Sequence, residues 1–115
     1  MVIAKEKEFA PVLIKLGYSL AACKNGLAWQ SPFSKYSDFS KNHGRLFRED
    51  NNETFGLDKL MPIINHLENF MRVEIIGEPD KKSCRMPLLN ISTSAKTKEE
   101  AIYKALIEYA ALTPF

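Results

Sequence analysis

Apolar residues recur at helical spacing in three places along the chain, and between them the pattern shortens to the two-residue alternation of strands. Phe9, Val12, Leu13 and Leu16 form the first apolar face, and Gly17 is a natural stop because it tolerates the left-handed conformation after a last turn. Pro11 would remove one main-chain bond from a helix interior, so this helix is expected to begin near Glu8 or to bend. Residues 18–23 and 27–31 then read as two strands around Lys24-Asn25-Gly26, where Asn-Gly is the strongest local signal for a two-residue hairpin. Trp29 on the second of them is expected to anchor the core, and Pro32 ends the run.

Residues 33–56 lose periodicity and become rich in Ser, Asn, Lys and Arg. A short strand is expected at 44–48, followed by an exposed acidic loop at 49–53. The second helical face carries Leu57, Leu60, Met61, Ile63, Ile64 and Leu67 and extends to Phe70, with Pro62 placed in its opening turns, where amides lack partners anyway. A strand at 72–76, a turn at 77–82 and a return strand at 84–93, disrupted by Pro87, come next. Thr97-Lys98-Glu99-Glu100 spells a capping box, which opens a third helix with Ile102, Ala105, Leu106, Tyr109 and Leu112 on one face, stopped by Pro114. No internal repeat stands out. The order of elements predicts an α+β fold, a layered α/β sandwich with a mainly antiparallel sheet and about three helices.

Composition narrows the class without naming a function. A chain of 115 residues, 45% hydrophobic and 26% charged, can close one hydrophobic core, so a single globular domain over 1–115 is expected. Its net charge of +2, from 16 basic and 14 acidic side chains, is too small by itself to imply a nucleic-acid or anionic-membrane partner. Met1-Val2-Ile3-Ala4 leads directly into Lys5-Glu6-Lys7-Glu8, unlike a secretory signal, and no run reaches the roughly 18 apolar residues of a membrane span. A cytoplasmic protein without membrane association is expected. Cys23 and Cys84 sit in apolar, strand-like surroundings and read as buried thiols; they form no Cys-x-x-Cys pair, and neither a metal nor another cofactor is expected.

Leu60-Met61-Pro62-Ile63-Ile64 and, at 101–109, Ala101-Ile102-Tyr103-Lys104-Ala105-Leu106-Ile107-Glu108-Tyr109 carry a resemblance. There the chain resembles small uncharacterised bacterial and prophage-encoded proteins of the phage ABA-sandwich type, over roughly its last half. The resemblance implies helices on both faces of a sheet and carriage on phage or mobile DNA, and it brings no catalytic residues with it. Lys59 stands where such proteins often place an aromatic, and 33–56 has no counterpart.

For catalysis the sequence offers two histidines, His43 and His66, neither with a partner spacing that builds a nucleophile and base, and the paired acids Glu99 and Glu100 are already committed to a cap. The expected role is therefore non-enzymatic: a protein-interaction module that docks on an unknown protein partner or pairs as a homodimer. The candidate working surface is the stretch 33–48, where Lys35, Lys41, His43, Arg45 and Arg48 interleave with Phe33, Tyr36 and Phe39. That mix of cations and rings also suits the alternative, a nucleic-acid-binding accessory protein that neutralises phosphates while stacking bases.

Overall fold

The computed structural model describes residues 1–23, 26–30, 32, 45–48 and 52–112, with 21, 23, 26–28 and 45–48 described by their backbone alone. The fold is α+β: among the described residues there are three helices and eight short strands in three small sheets. The elements run β1 (Val2–Lys5), α1 (Glu6–Leu16), β2 (Ser19–Cys23), β3 (Gly26–Gln30), β4 (Arg45–Arg48), β5 (Asn52–Phe55), α2 (Leu57–Leu67), β6 (Glu74–Gly77), β7 (Lys82–Met86), β8 (Ile91–Ala95) and α3 (Lys98–Ala111). The chain divides into two compact units, one of Ala4–Glu53 and one of Met1–Ile3 with Thr54–Phe115. β1 and β5 pair as a two-stranded sheet.

In the unit Ala4–Glu53, α1 buries Phe9, Val12, Leu13 and Leu16, and Gly17 closes it at φ 90° with its amide on the Ile14 carbonyl, as the spacing predicts. The helix starts at Glu6, earlier than expected, with Pro11 inside it. β2, β3 and β4 form an antiparallel sheet in that order. Cys23 lies opposite Gly26, so Gly26 opens β3 instead of completing the turn, and the rest of the expected Lys24-Asn25-Gly26 turn lies outside the described residues. Between Trp29↔Leu46 and Ala28↔Arg48 the register slips by one, leaving Phe47 as an extra residue on β4. Trp29 is buried, and its indole N–H donates to Glu6 Oε1 at 2.9 Å, so a side chain from the first turn of α1 is tied to the middle strand.

In the other unit β6, β7 and β8 make an antiparallel meander, α3 packs on all three strands, and α2 packs on α3. α2 buries Leu60, Ile63, Ile64 and Leu67; α3 buries Ala101, Ile102, Tyr103, Ala105 and Leu106. Thr97 caps α3 as the capping box predicts, its hydroxyl accepting the Glu100 amide at 3.2 Å, while the Glu100 carboxylate turns to Lys104 Nζ at 3.6 Å. The Thr93 hydroxyl donates to the Ala101 carbonyl at 2.6 Å and so pins β8 to the first turn of the same helix. The expected single return strand at 84–93 is two strands. Pro87, with no N–H to give a ladder, opens a 3-10 turn over Pro87–Leu89, and Asn90 at φ 58° reverses the chain.

A repeat absent from the sequence pattern emerges here. A four-residue strand, an 11-residue helix and a three-stranded antiparallel meander occur twice, as β1-α1-β2-β3-β4 and β5-α2-β6-β7-β8. The buried positions coincide: Ala4 with Phe55, Phe9 with Leu60, Val12 with Ile63, Leu13 with Ile64, and Leu16 with Leu67. Proline is sixth in both helices, Pro11 and Pro62, past the first turn and its free amides. Both prolines are exposed, so Pro62→Ala restores a main-chain bond to the Asp58 carbonyl without a steric penalty. Helix propensity favours Ala by about 3 kcal/mol and the stiffer unfolded chain of the proline form returns up to about 1. The expected result in urea denaturation is a net gain of about 2–3 kcal/mol.

Candidate functional site

Of the residues expected to form a working surface, Phe33, Lys35, Tyr36, Phe39, Lys41 and His43 lie outside the described residues. Arg45 and Arg48 are the first and last residues of β4, an edge strand among the described residues, with Gln30 and Ala28 as their cross-strand neighbours.

Among the described residues, several groups capable of chemistry make contacts within the fold. The His66 imidazole on α2 meets the Phe70 ring edge-on, centroids 5.3 Å apart. Cys84 is fully buried at the centre of the β6-β7-β8 sheet, and burial pushes its thiol up to about 11, so it stays protonated and unreactive at neutral pH. Glu6 spends its carboxylate on Trp29. Lys59 places its ammonium 5.4 Å from the centroid of the Phe55 ring. Among the described residues no three His, Cys, Asp or Glu side chains gather where they could hold a metal ion, and no helix is long and apolar enough to cross a membrane.

Glu99 bonds the Met1 amine at 2.7 Å, and that contact, followed by its own backbone amide, holds its carboxyl below the usual carboxylate range. A depressed carboxyl contributes stability that is fully present above the unfolded value of about 4.3 and is lost as pH falls through the folded value. Thermal melts from pH 6 down to pH 3 are therefore expected to fall less steeply for Glu99→Gln than for the native chain, with the two curves converging at the acid end.

One end of the β6-β7-β8 sheet has a different character. β6 begins at Glu74 opposite Arg85, and β7 ends at Met86 opposite Ile91, so the connection before β6 and the Pro87–Leu89 turn lie at the same end. α3 starts at the far end, with Lys98 against Gly77. Phe70, in the connection before β6, and Leu88, in the turn after β7, thus share one end, and they are 69% and 74% exposed. Phe70, expected on the buried stripe of α2, stands beyond the helix end and in solvent. Leu88 is carried outward by the turn that Pro87 starts. Nothing in the local sequence around either of them signals this, because the two come to one end only through the order and direction of the strands.

Against protein-family models, curated proteins and solved structures alike, the chain matches none.

Proposed function

We propose that this chain is a small phage- or mobile-element-type protein that works in the cytoplasm as a non-enzymatic protein-interaction module, using the end of the β6-β7-β8 sheet that carries Phe70 and Leu88. The observation that carries the reading is that two large apolar side chains from two separate segments stand exposed at one end of a sheet. Single exposed leucines are ordinary on protein surfaces, but apolar groups gathered at one place mark contact sites for other proteins. The engagement of Glu6, His66, Cys84 and Glu99 in internal contacts supports a role without catalysis. The resemblance at 60–64 and 101–109 supports the phage-type origin.

The test compares the native chain with the Phe70→Ser, Leu88→Ser double variant as bait in bacterial extract, at low and at high salt. A stoichiometric protein retained by the native chain at high salt and lost by the variant is the expected result, because an apolar interface persists when charges are screened. Nucleic acid retained only at low salt, equally by both baits, would instead favour a basic surface and overturn the reading.

A further inference from the structure

Among the described residues the β6-β7-β8 sheet has two edges, β6 and β8, and they are finished differently. In an antiparallel pair, opposed residues alternate between those that exchange both main-chain hydrogen bonds and those that exchange none. The turn joining β6 to β7 sets that phase: Glu78 N–H donates to the Lys81 carbonyl at 3.0 Å and Lys81 N–H donates back at 3.3 Å. Continuing through the register Gly77↔Lys82, Ile76↔Ser83, Ile75↔Cys84 and Glu74↔Arg85, the bonded positions of β6 are Ile76 and Glu74. Ile75 and Gly77, and Val73 just before the strand, therefore direct their N–H and C=O groups to the free edge. The same phase carried across β7 makes Ser94 an outward residue of β8, and there the Lys104 ammonium lies 3.4 Å from the Ser94 carbonyl. A lysine over an edge strand is a common means of blocking further pairing. β6, spelled Glu-Ile-Ile-Gly, has no lysine of its own, and Lys98 from α3 lies against Gly77 at its last position only.

We propose that the free edge of β6 pairs antiparallel with β6 of a second copy of this chain, centred on Ile75, joining two three-stranded sheets into one of six. This deepens, and rests on, the reading of the chain as a protein-interaction module. The register follows from the phase, since only outward residues can oppose one another. Centring on Ile75 uses all three of them, with Ile75 opposite Ile75 and Val73 opposite Gly77 in both directions, as a two-fold axis requires. Pairing Ile75 with Ile76 is forbidden, because Ile76 already gives its groups to β7. The register so fixed sets Arg72 opposite Glu78 of the second copy, at a position of the closer, non-bonded kind, and does so twice across the axis. Both side chains are exposed, and Arg72 is already extended along this face toward Glu74, with Nε 3.2 Å from the Glu74 carboxylate. Charge complementarity therefore emerges from a register chosen on hydrogen-bond grounds alone.

Sedimentation equilibrium of the purified full chain from micromolar to millimolar concentration, with amide exchange at the two extremes, tests the proposal. The expected result is a species of twice the 13.1 kDa chain mass at the upper concentrations, with exchange at Val73, Ile75 and Gly77 slowed about tenfold there. Ile75→Pro removes an outward N–H and no bond of the ladder to β7, which an edge strand tolerates, so it should keep the native circular dichroism and weaken association at least about tenfold. Should that variant fail to fold, a charge swap decides: Arg72→Glu and Glu78→Arg each weaken association, and the two together restore it. A single-chain mass at every concentration, undiminished association in Ile75→Pro, or no rescue in the swap would overturn the pairing. Association lost in the Phe70→Ser, Leu88→Ser variant but kept in Ile75→Pro would also overturn it, while leaving the module reading in place.

Discussion

Trp29→Phe will destabilise the unit Ala4–Glu53 by about 2–3 kcal/mol, far more than the loss of ring area suggests, because it strands a buried carboxylate. Glu6 and Trp29 are each only 7% exposed, and the indole N–H donates to Glu6 Oε1 at 2.9 Å. Phenylalanine keeps the apolar body of the ring but offers no N–H, and a buried charged acceptor left without its donor costs more than a neutral one. Glu6→Gln preserves a carbonyl acceptor for the indole, so its cost should stay near or below about 1 kcal/mol. The discriminating measurement is a double-mutant cycle by guanidinium denaturation, followed by circular dichroism since Trp29 is the only tryptophan. Glu6→Leu with Trp29→Phe should cost less than the sum of the two single changes by at least about 1 kcal/mol. Strict additivity would mean that the 2.9 Å bond carries no net energy and that Trp29 acts by packing alone.

Elements whose burial repeats at a helical or strand period could be read from the sequence; those defined by their neighbours could not. The Gly17 stop, the Thr97 cap, the face of α1 and the central positions of the α2 and α3 faces follow from local spacing and the structure reproduces them, whereas Leu57, Phe70 and Leu112, expected on those faces, are exposed. β1 was hidden because Val2–Lys5 runs straight into a helix and buries only Ala4, so Ile3 passes for helical pattern although it is exposed. β5 was hidden for a related reason: Asn52–Phe55 buries only Phe55, and three polar residues in a row read as loop when the partner strand lies some fifty positions away. In β7 and β8, Pro87 was recognised as a disruption, but a disrupted strand and a tight reversal have the same local spelling. Only the Met86↔Ile91 pairing separates them. The exposed end that carries Phe70 and Leu88 is more remote from the sequence still, since only the order and direction of the strands bring the two segments to it.

The repeat leads to the second large effect. Leu13→Ala and Ile64→Ala should each cost about 2–5 kcal/mol, as expected for a large aliphatic side chain removed from a packed interior. Leu13 and Ile64 occupy the eighth position of their 11-residue helices, two residues after the proline, and both are essentially inaccessible to solvent. Their immediate neighbours supply the control, because Ile14 is 64% exposed and Asn65 is also exposed, so Ile14→Ala and Asn65→Ala should stay within about 0.5 kcal/mol. The contrast matters because Ile14 is as hydrophobic as Leu13: a scale of residue types predicts equal losses, whereas the repeated burial pattern predicts losses differing by several fold. Within the two helices only the proline and the final leucine, Leu16 and Leu67, are identical, so what recurs is the set of buried positions and not the residues filling them. Denaturant midpoints for the four variants decide the matter. If Ile14→Ala proved as costly as Leu13→Ala, the correspondence between α1 and α2 would be one of length and proline position alone.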